Sequence, residues 1–203
     1  MKKQSRTLRR GFTLAEIMVT LGVFSVLMTA VLAFFIHGLQ IYRYDLGRQL
    51  VNRDMRSFTN ELSDNAVEAN YFRVYRSFDD RTLMGVEQSG DFALFVYTNP
   101  SNPEEVIRVV GYYRAASGSD SGPVRRFTVD CTPTKTSNPI TLAPETSTRN
   151  TWDEVLEMSR GLSDGRLFYN FDRTVIVRGE ITRRGSNLKN AVSTYNFTVA
   201  PRG

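Results

Sequence analysis

Glu16 needs a chemical explanation more than any other residue, because it lies at the start of a long apolar segment. Residues 17–36 contain no charged side chain, and a helix of that length spans the roughly 30 Å of hydrocarbon in a bilayer. A carboxylate in lipid costs about 2.5–3.5 kcal/mol, so Glu16 needs a partner. Cleavage after Gly11 would leave an ammonium group on Phe12, one helical turn before Glu16. The spacing predicts an ion pair, either within one helix or between neighbouring chains.

The residues around this position resemble a known family. Residues 10–16 read Arg-Gly-Phe-Thr-Leu-Ala-Glu, which looks like the type IV prepilin signal of type IV pilins and type II secretion pseudopilins. That signal combines a basic leader, a glycine before an aromatic residue or Met, a glutamate at the fifth mature position and a long apolar helix. All four features are present, and the resemblance covers about the first thirty residues.

The resemblance implies a processing pathway and a set of partners. A prepilin peptidase would cut between Gly11 and Phe12, and Phe12 would be N-methylated. Phe12 and Glu16 would then take part in assembly with other pilin or pseudopilin subunits at an inner-membrane assembly platform. The alternatives to a prepilin signal are a plain signal anchor with a stray glutamate and a Sec signal peptide, for which the apolar run is too long.

The leader, residues 1–11, predicts the orientation in the membrane. Its charged residues are all basic: Lys2, Lys3, Arg6, Arg9 and Arg10. Such a cluster beside an apolar span keeps the N-terminus in the cytoplasm and sends the rest of the chain to the periplasm. The leader holds five of the 26 basic residues, so the other 21 balance the 21 acidic ones. The net charge of +5 therefore gives no argument for nucleic-acid binding.

The apolar segment is predicted to be the first part of one long helix. An apolar stripe near helical spacing continues to Ala69, and no proline occurs before Pro100. We expect residues 12–39 to form a transmembrane or filament-core helix and residues 40–70 its periplasmic continuation.

Residues 71–203 are predicted to form a β-rich head. Segments rich in β-branched and aromatic residues indicate strands at 92–97, 106–113, 125–130, 166–170, 174–182 and 192–200. The expected fold is α+β and pilin-like, with the second half of the long helix packed on an antiparallel sheet.

The remaining parts of the head are predicted from turn and capping residues. Residues 98–105, 115–123 and 131–151 are expected to be loops, most simply solvated ones. A short helix is predicted at Trp152–Arg160, because Thr151 and Glu154 match a capping box and Gly161 follows where a C-cap glycine belongs.

The head lacks the residue types that most catalytic and metal sites require. The only histidine, His37, falls at the end of the apolar span, and the only cysteine, Cys131, cannot form an intrachain disulfide. We therefore predict no enzymatic activity, no cofactor and no metal site. A structural subunit is the favoured function, and the alternative is a membrane-anchored periplasmic enzyme or binding protein.

The size of the chain favours one kind of subunit. Removing the 11-residue leader from 203 residues leaves about 192, which resembles the larger minor members, the J-type pseudopilins and W-type minor pilins. The K-type pseudopilin typically lacks the fifth-position glutamate, so Glu16 argues against that identity.

The first prediction concerns cleavage. In a host with a prepilin peptidase, the protein should lose residues 1–11 and carry a methyl group on Phe12. Gly11→Val should block the cut because of its bulk, whereas the matched variant Gly11→Ala should be processed nearly normally. Intact-mass and N-terminal peptide analysis measures both, and a mature chain that still begins at Met1 would contradict the resemblance.

Overall fold

The computed structural model describes residues 12–115, 121–162, 164–183 and 191–202. Its contacts divide the chain into two compact units, Met1–Arg43 and Tyr44–Gly203. One helix, α1 (Leu14–Glu68), contributes to both units. The predicted long helix is confirmed, although it begins two residues after Phe12 and ends before Asn70.

In its described residues, the second unit contains nine strands, two short helical segments and the last part of α1. The strands are β1 (Tyr71–Tyr75), β2 (Ser89–Gly90), β3 (Phe92–Asn99), β4 (Asn102–Arg114), β5 (Gly122–Lys135), β6 (Asp153–Arg160), β7 (Phe168–Phe171), β8 (Thr174–Arg183) and β9 (Ala191–Val199). The helical segments are α2 (Pro139–Leu142) and a 3-10 turn at Thr146–Thr148.

The strands form one antiparallel sheet, as predicted. Its order is β1-β3-β4-β5-β6-β8-β7-β2, and β9 pairs with β8. The segment after β1 folds back along that strand, since the Met84 amide donates to the Val74 carbonyl at 2.8 Å and the Asp91 amide to the Arg76 carbonyl at 3.0 Å. The α+β class predicted from the sequence is confirmed.

The last part of α1 is buried against one face of the sheet. Val51, Phe58, Leu62 and Ala66 are its buried residues. They are seven, four and four residues apart, which places them on one helix face. Phe58 makes edge-to-face contacts with Tyr112, Tyr195 and Phe197, with ring centroids 5.8–6.2 Å apart. This face of the sheet, together with α1, forms the first core of the head.

The opposite face of the sheet has a core of its own. Phe92, Leu94 and Val96 of β3 are buried there, and Phe78 stacks on Tyr113 with centroids 4.1 Å apart. Strand β3 is thus covered on both faces, which explains its nearly continuous apolar sequence.

The prediction of a helix at Trp152–Arg160 was wrong, because Asp153–Arg160 is strand β6. This strand pairs with β5 on one side and β8 on the other. The Glu154 carboxylate accepts a bond from Arg125 at 3.2 Å. Gly161 is no C-cap either: a Cβ on it would overlap the backbone of Arg166. Pairing across the sheet has overridden the local capping signal.

Two of the predicted loops were also partly wrong. Residues 98–105 mostly belong to β3 and β4, which are joined at Pro100 and Ser101. In the stretch 131–151, β5 continues to Lys135, and Pro139 and Ala143 are buried. Trp152, just beyond that stretch, packs on Phe127 with centroids 5.9 Å apart. Residues 131–151 therefore cover part of the second core, although the stretch is rich in polar residues.

Two strands were missed, and one predicted loop falls largely outside the described residues. The missed strands are β1, which follows α1 almost directly, and the two-residue β2. Within the loop predicted at 115–123, residues 116–120 are outside the described part, and β5 begins at Gly122. The other predicted strands are confirmed with shifted ends.

The second prediction concerns the contact between helix and sheet. A fragment comprising residues 44–203 should fold on its own, because it keeps the buried residues of α1. In this fragment Phe58→Ala should lower the free energy of unfolding by about 3–5 kcal/mol, since Phe58 is fully buried. The control Ser57→Ala, at an exposed neighbouring position, should stay within about 0.5 kcal/mol. Urea unfolding followed by circular dichroism measures both changes, and equal midpoints for the two variants would contradict the packing.

Candidate functional site

The first unit presents an apolar helix with no protein cover. Every residue from 12 to 43 is exposed, including Phe34, at 81%. Within the described residues α1 is the one helix that is long and apolar enough to cross a membrane. An apolar surface of this extent requires cover by lipid or by other helices.

The hydroxyl groups in this segment bond back to the carbonyls of their own helix. Thr20 donates to the Glu16 carbonyl at 2.9 Å, Ser25 to the Gly22 carbonyl at 2.8 Å and Thr29 to the Ser25 carbonyl at 2.8 Å. Bonds of this kind satisfy polar side chains without water. The polar residues of the segment are therefore compatible with a lipid or protein environment.

Glu16 closes the N-terminus of α1 together with Thr13. The Glu16 Oε2 atom accepts bonds from the Thr13 amide at 2.9 Å and from the Thr13 hydroxyl at 3.0 Å. In return, the Thr13 Oγ1 atom is 3.3 Å from the Glu16 amide. This arrangement is a capping box, and the carboxylate is also favoured by the positive end of the helix dipole. Glu16 thus has a role in its own helix before any cleavage.

The capping box changes the local geometry expected from the sequence. The helix begins at Leu14, so Phe12 precedes it. Phe12 and Glu16 are therefore not separated by a regular helical turn. Thr13 is a functional residue that was not predicted, although Thr13-Leu14-Ala15-Glu16 has the S/T-x-x-E pattern of a capping box. Gly11 and the leader residues Lys2, Lys3, Arg6, Arg9 and Arg10 lie outside the described part of the chain.

Aromatic and basic residues follow the apolar segment. Tyr42 and Tyr44 are exposed and flank Arg43. Tyr side chains are enriched at membrane–water interfaces, where the ring is buried and the hydroxyl is solvated. His37, at the end of the apolar span, is exposed a little earlier in the helix.

Two charged side chains buried in the head, Arg114 and Asp91, pair with each other. Arg114 donates to the Asp91 carboxylate at 2.7 Å, and both side chains are almost fully buried. Asp91 also accepts the Leu167 amide at 3.3 Å. Burial raises the pKa of the Asp91 carboxyl, and the Arg114 guanidinium opposes that shift. Since both partners are enclosed, the pair serves to hold strands together.

An open depression of about 480 Å³ lies elsewhere on the head, lined by Asp79, Arg81, Glu145, Thr146 and Ser147. Its charged groups already have partners. Arg81 donates to the carbonyls of Ile140 and Pro144, and Arg149 pairs with Asp79. These bonds fasten the segment that covers the second core.

Neither a metal centre nor a thiol site is evident in the described residues. They contain no group of three or more His, Cys, Asp or Glu side chains placed to hold an ion. Cys131 is a free thiol buried in the second core, where it packs as a small apolar residue.

Comparison with protein families identifies the N-terminal segment. Residues 6–32 match the family model described as the prokaryotic N-terminal methylation motif. The chain carries a prepilin-type motif. The match supports a type IV pilin-like chain, and it implies processing by a prepilin peptidase and assembly with other pilins. Together with the exposed apolar helix, the motif fits a membrane-anchored pilin. Comparisons with curated proteins and with solved structures gave no significant match.

The third prediction tests the capping box in the unprocessed full-length protein. Thr13→Val removes the hydroxyl that accepts the Glu16 amide, and loss of an N-cap costs about 1 kcal/mol. Deuterium exchange at the Glu16 amide in detergent micelles should therefore accelerate by about fivefold, the factor that corresponds to that free energy. Thr13→Ser keeps the hydroxyl and should exchange like the parent. Equal exchange in the Val variant and the parent would contradict the capping role.

Proposed function

We propose that this chain is a minor pilin or pseudopilin, a structural subunit that its N-terminal helix assembles into a type IV pilus or a periplasmic pseudopilus. The observation that carries the proposal is the exposed apolar helix that opens on a capped glutamate inside the methylation motif. Such a filament serves protein secretion, adhesion and motility, or DNA uptake. The head has no catalytic role in this proposal.

The proposed topology follows from the charges on either side of the apolar segment. Before cleavage the basic leader lies in the cytoplasm and α1 crosses the inner membrane once. The head, residues 71–203, lies in the periplasm. Cleavage after Gly11 removes the leader and leaves the new ammonium group on Phe12 next to the capping box.

The hydrogen bonds of Glu16 favour a role between subunits. Both described bonds to its carboxylate use Oε2, and Oε1 accepts no hydrogen bond within the described part of the chain. The Phe12 ammonium of a neighbouring subunit can therefore bind Oε1 without breaking the cap. Such a pair fixes the axial position of one helix beside the next, because both charges are otherwise left in an apolar environment.

The size of the head is the reason for proposing a minor subunit. It contains a nine-stranded sheet with a core on each face, and the mature chain has about 192 of the 203 residues. A head of this size supports one of the larger minor members, of the J-type pseudopilin or W-type minor pilin kind.

The fourth prediction tests the intersubunit pair. Glu16→Ala and Glu16→Gln should both insert in the membrane and be cleaved after Gly11, yet enter filaments poorly. Loss of one partner from a desolvated ion pair costs about 3–5 kcal/mol, which corresponds to more than about a hundredfold in association. The matched control, Asp45→Asn, changes an exposed acid on the same helix and should assemble normally.

The measurement is the fraction of the subunit that crosslinks to its filament neighbours, with cleavage followed in the same samples. Normal incorporation of both Glu16 variants would overturn the proposed pair. Failure of cleavage in both variants would assign Glu16 to peptidase recognition instead.

A further inference from the structure

The exposed side of α1 in the second unit carries charged residues in two blocks of opposite sign. Arg53 and Arg56 form the basic block, and Asp64 and Glu68 form the acidic block. All four are exposed, and so is Asn60 between the blocks. Their spacings of three and four residues place them on one side of the helix, which we call the charged face. At 1.5 Å per residue, Arg53 and Asp64 lie about 17 Å apart along the helix axis.

This order of charges does not stabilise the helix itself. Opposite charges three or four residues apart stabilise a helix, and like charges at these spacings destabilise it. Arg53 and Arg56 are three residues apart, Asp64 and Glu68 are four apart, and none of them has an opposite charge at either spacing. Glu68 also lies in the last turn, which has no basic residue, although the helix dipole favours a cation there. The two blocks therefore lower the stability of α1.

Contacts within the described residues neutralise these charges only in part. Arg56 and Asp64 take part in no ion pair and no hydrogen bond there. Arg53 is 3.5 Å from the acid that follows it in the sequence, and its side chain is 75% exposed. Glu68 is 3.5 Å from Arg108, and its side chain is 67% exposed. Because sequences commonly break local stability rules where a function requires it, the two blocks indicate a partner outside the chain.

A second copy of the chain offers the missing partners when it is displaced along the helix axis. Eleven residues make about three turns of helix, so a displacement of about 17 Å presents the same side of the helix again. In a parallel pair with this displacement, Arg53 of one copy faces Asp64 of the other, and Arg56 lies beside Glu68. Without the displacement, each block would face a block of its own sign. The charged face is thus complementary to itself in a displaced pair.

We infer that the charged face of α1 binds the charged face of a second copy of this chain, in parallel and displaced by eleven residues. An antiparallel copy turned about Asn60 would also bring Arg56 opposite Asp64. The parallel orientation rests on the proposed function, because it is the one open to two chains anchored in the same membrane with the same orientation. Exposed ion pairs contribute little affinity one at a time, so their effect is to fix the displacement between the copies.

Disulfide crosslinking tests the displacement. Gln49 and Asn60 are exposed, uncharged and eleven residues apart, so Cys at both positions leaves the charges unchanged. The double variant Gln49→Cys with Asn60→Cys should form dimers on mild oxidation. Each single variant should give at least about tenfold less, because identical positions lie about 17 Å apart in the displaced pair and a disulfide needs Cα atoms within about 7 Å. Cys131 is buried, and the parent protein measures the background.

The crosslinking uses the full-length protein in membrane vesicles from a host without a prepilin peptidase. Neither cleavage nor filament assembly takes place in such vesicles. The yield of dimer is read by electrophoresis without reductant. A negative result therefore bears on the charged face and leaves the proposed function to its own test, which follows incorporation into filaments.

Charge reversal tests the role of the two blocks in the same double-Cys background. Arg53→Glu with Arg56→Glu makes the charged face acidic throughout and should lower the yield of dimer at least about tenfold, because like charges then face each other. Adding Asp64→Arg and Glu68→Arg restores two blocks of opposite sign and should restore the yield. The control Arg202→Glu, at an exposed position outside α1, should crosslink like the unreversed protein. Restoration by the fourfold variant excludes misfolding as the cause of the loss.

Four results would overturn the inference. Failure of the double-Cys variant to crosslink would show that the charged faces do not meet. Crosslinking of Asn60→Cys alone would assign the face to an antiparallel pair, and equal crosslinking of both single variants would assign it to a pair without displacement. An unchanged yield after reversal of Arg53 and Arg56 would show that the charges do not set the contact.

Discussion

The helix α1 must satisfy two different surroundings with one unbroken backbone. In the first unit its large apolar side chains are exposed all around the helix and require lipid or neighbouring helices. In the second unit a single stripe, which includes Phe58 and Leu62, is buried against the sheet. The change from all-round to one-sided apolarity occurs without a break in helical hydrogen bonding. Residues of the same helix therefore contribute to both units.

Polar contacts fix the position of α1 on the sheet, since apolar packing alone tolerates sliding. The Glu61 carboxylate accepts bonds from Tyr112 and Arg126, both at 2.8 Å, and the Tyr97 hydroxyl donates to the Asn65 carbonyl at 2.8 Å. Burial, with the Glu61 carboxylate nearby, raises the pKa of Tyr112. Its hydroxyl therefore stays protonated and remains a donor. These bonds join β3, β4 and β5 to two successive turns of the helix.

The sequence predicted the elements whose signal is local. The apolar span, the long helix and most strands follow from composition and periodicity, and the motif around Gly11 and Phe12 follows from its resemblance to the prepilin signal. The cover of the second core did not, because the stretch 131–151 is rich in Ser, Thr and Pro and reads as solvated. Only the folded chain shows that Pro139 and Ala143 are buried there, since burial depends on which distant strands the segment meets.

The pattern Thr-x-x-Glu occurs twice in the sequence and leads to a different secondary structure each time. At Thr13–Glu16 it forms the capping box that starts α1, because the described structure offers that segment no competing partner. At Thr151–Glu154 the same pattern leads into β6, which bonds to β5 and β8. A helix cap contributes about 1 kcal/mol to stability. Burial of one large side chain such as Leu156, together with strand pairing, contributes more and therefore favours the strand. The sequence by itself determined the apolar helix and its motif, whereas only tertiary packing decided between helix and strand where both were locally available.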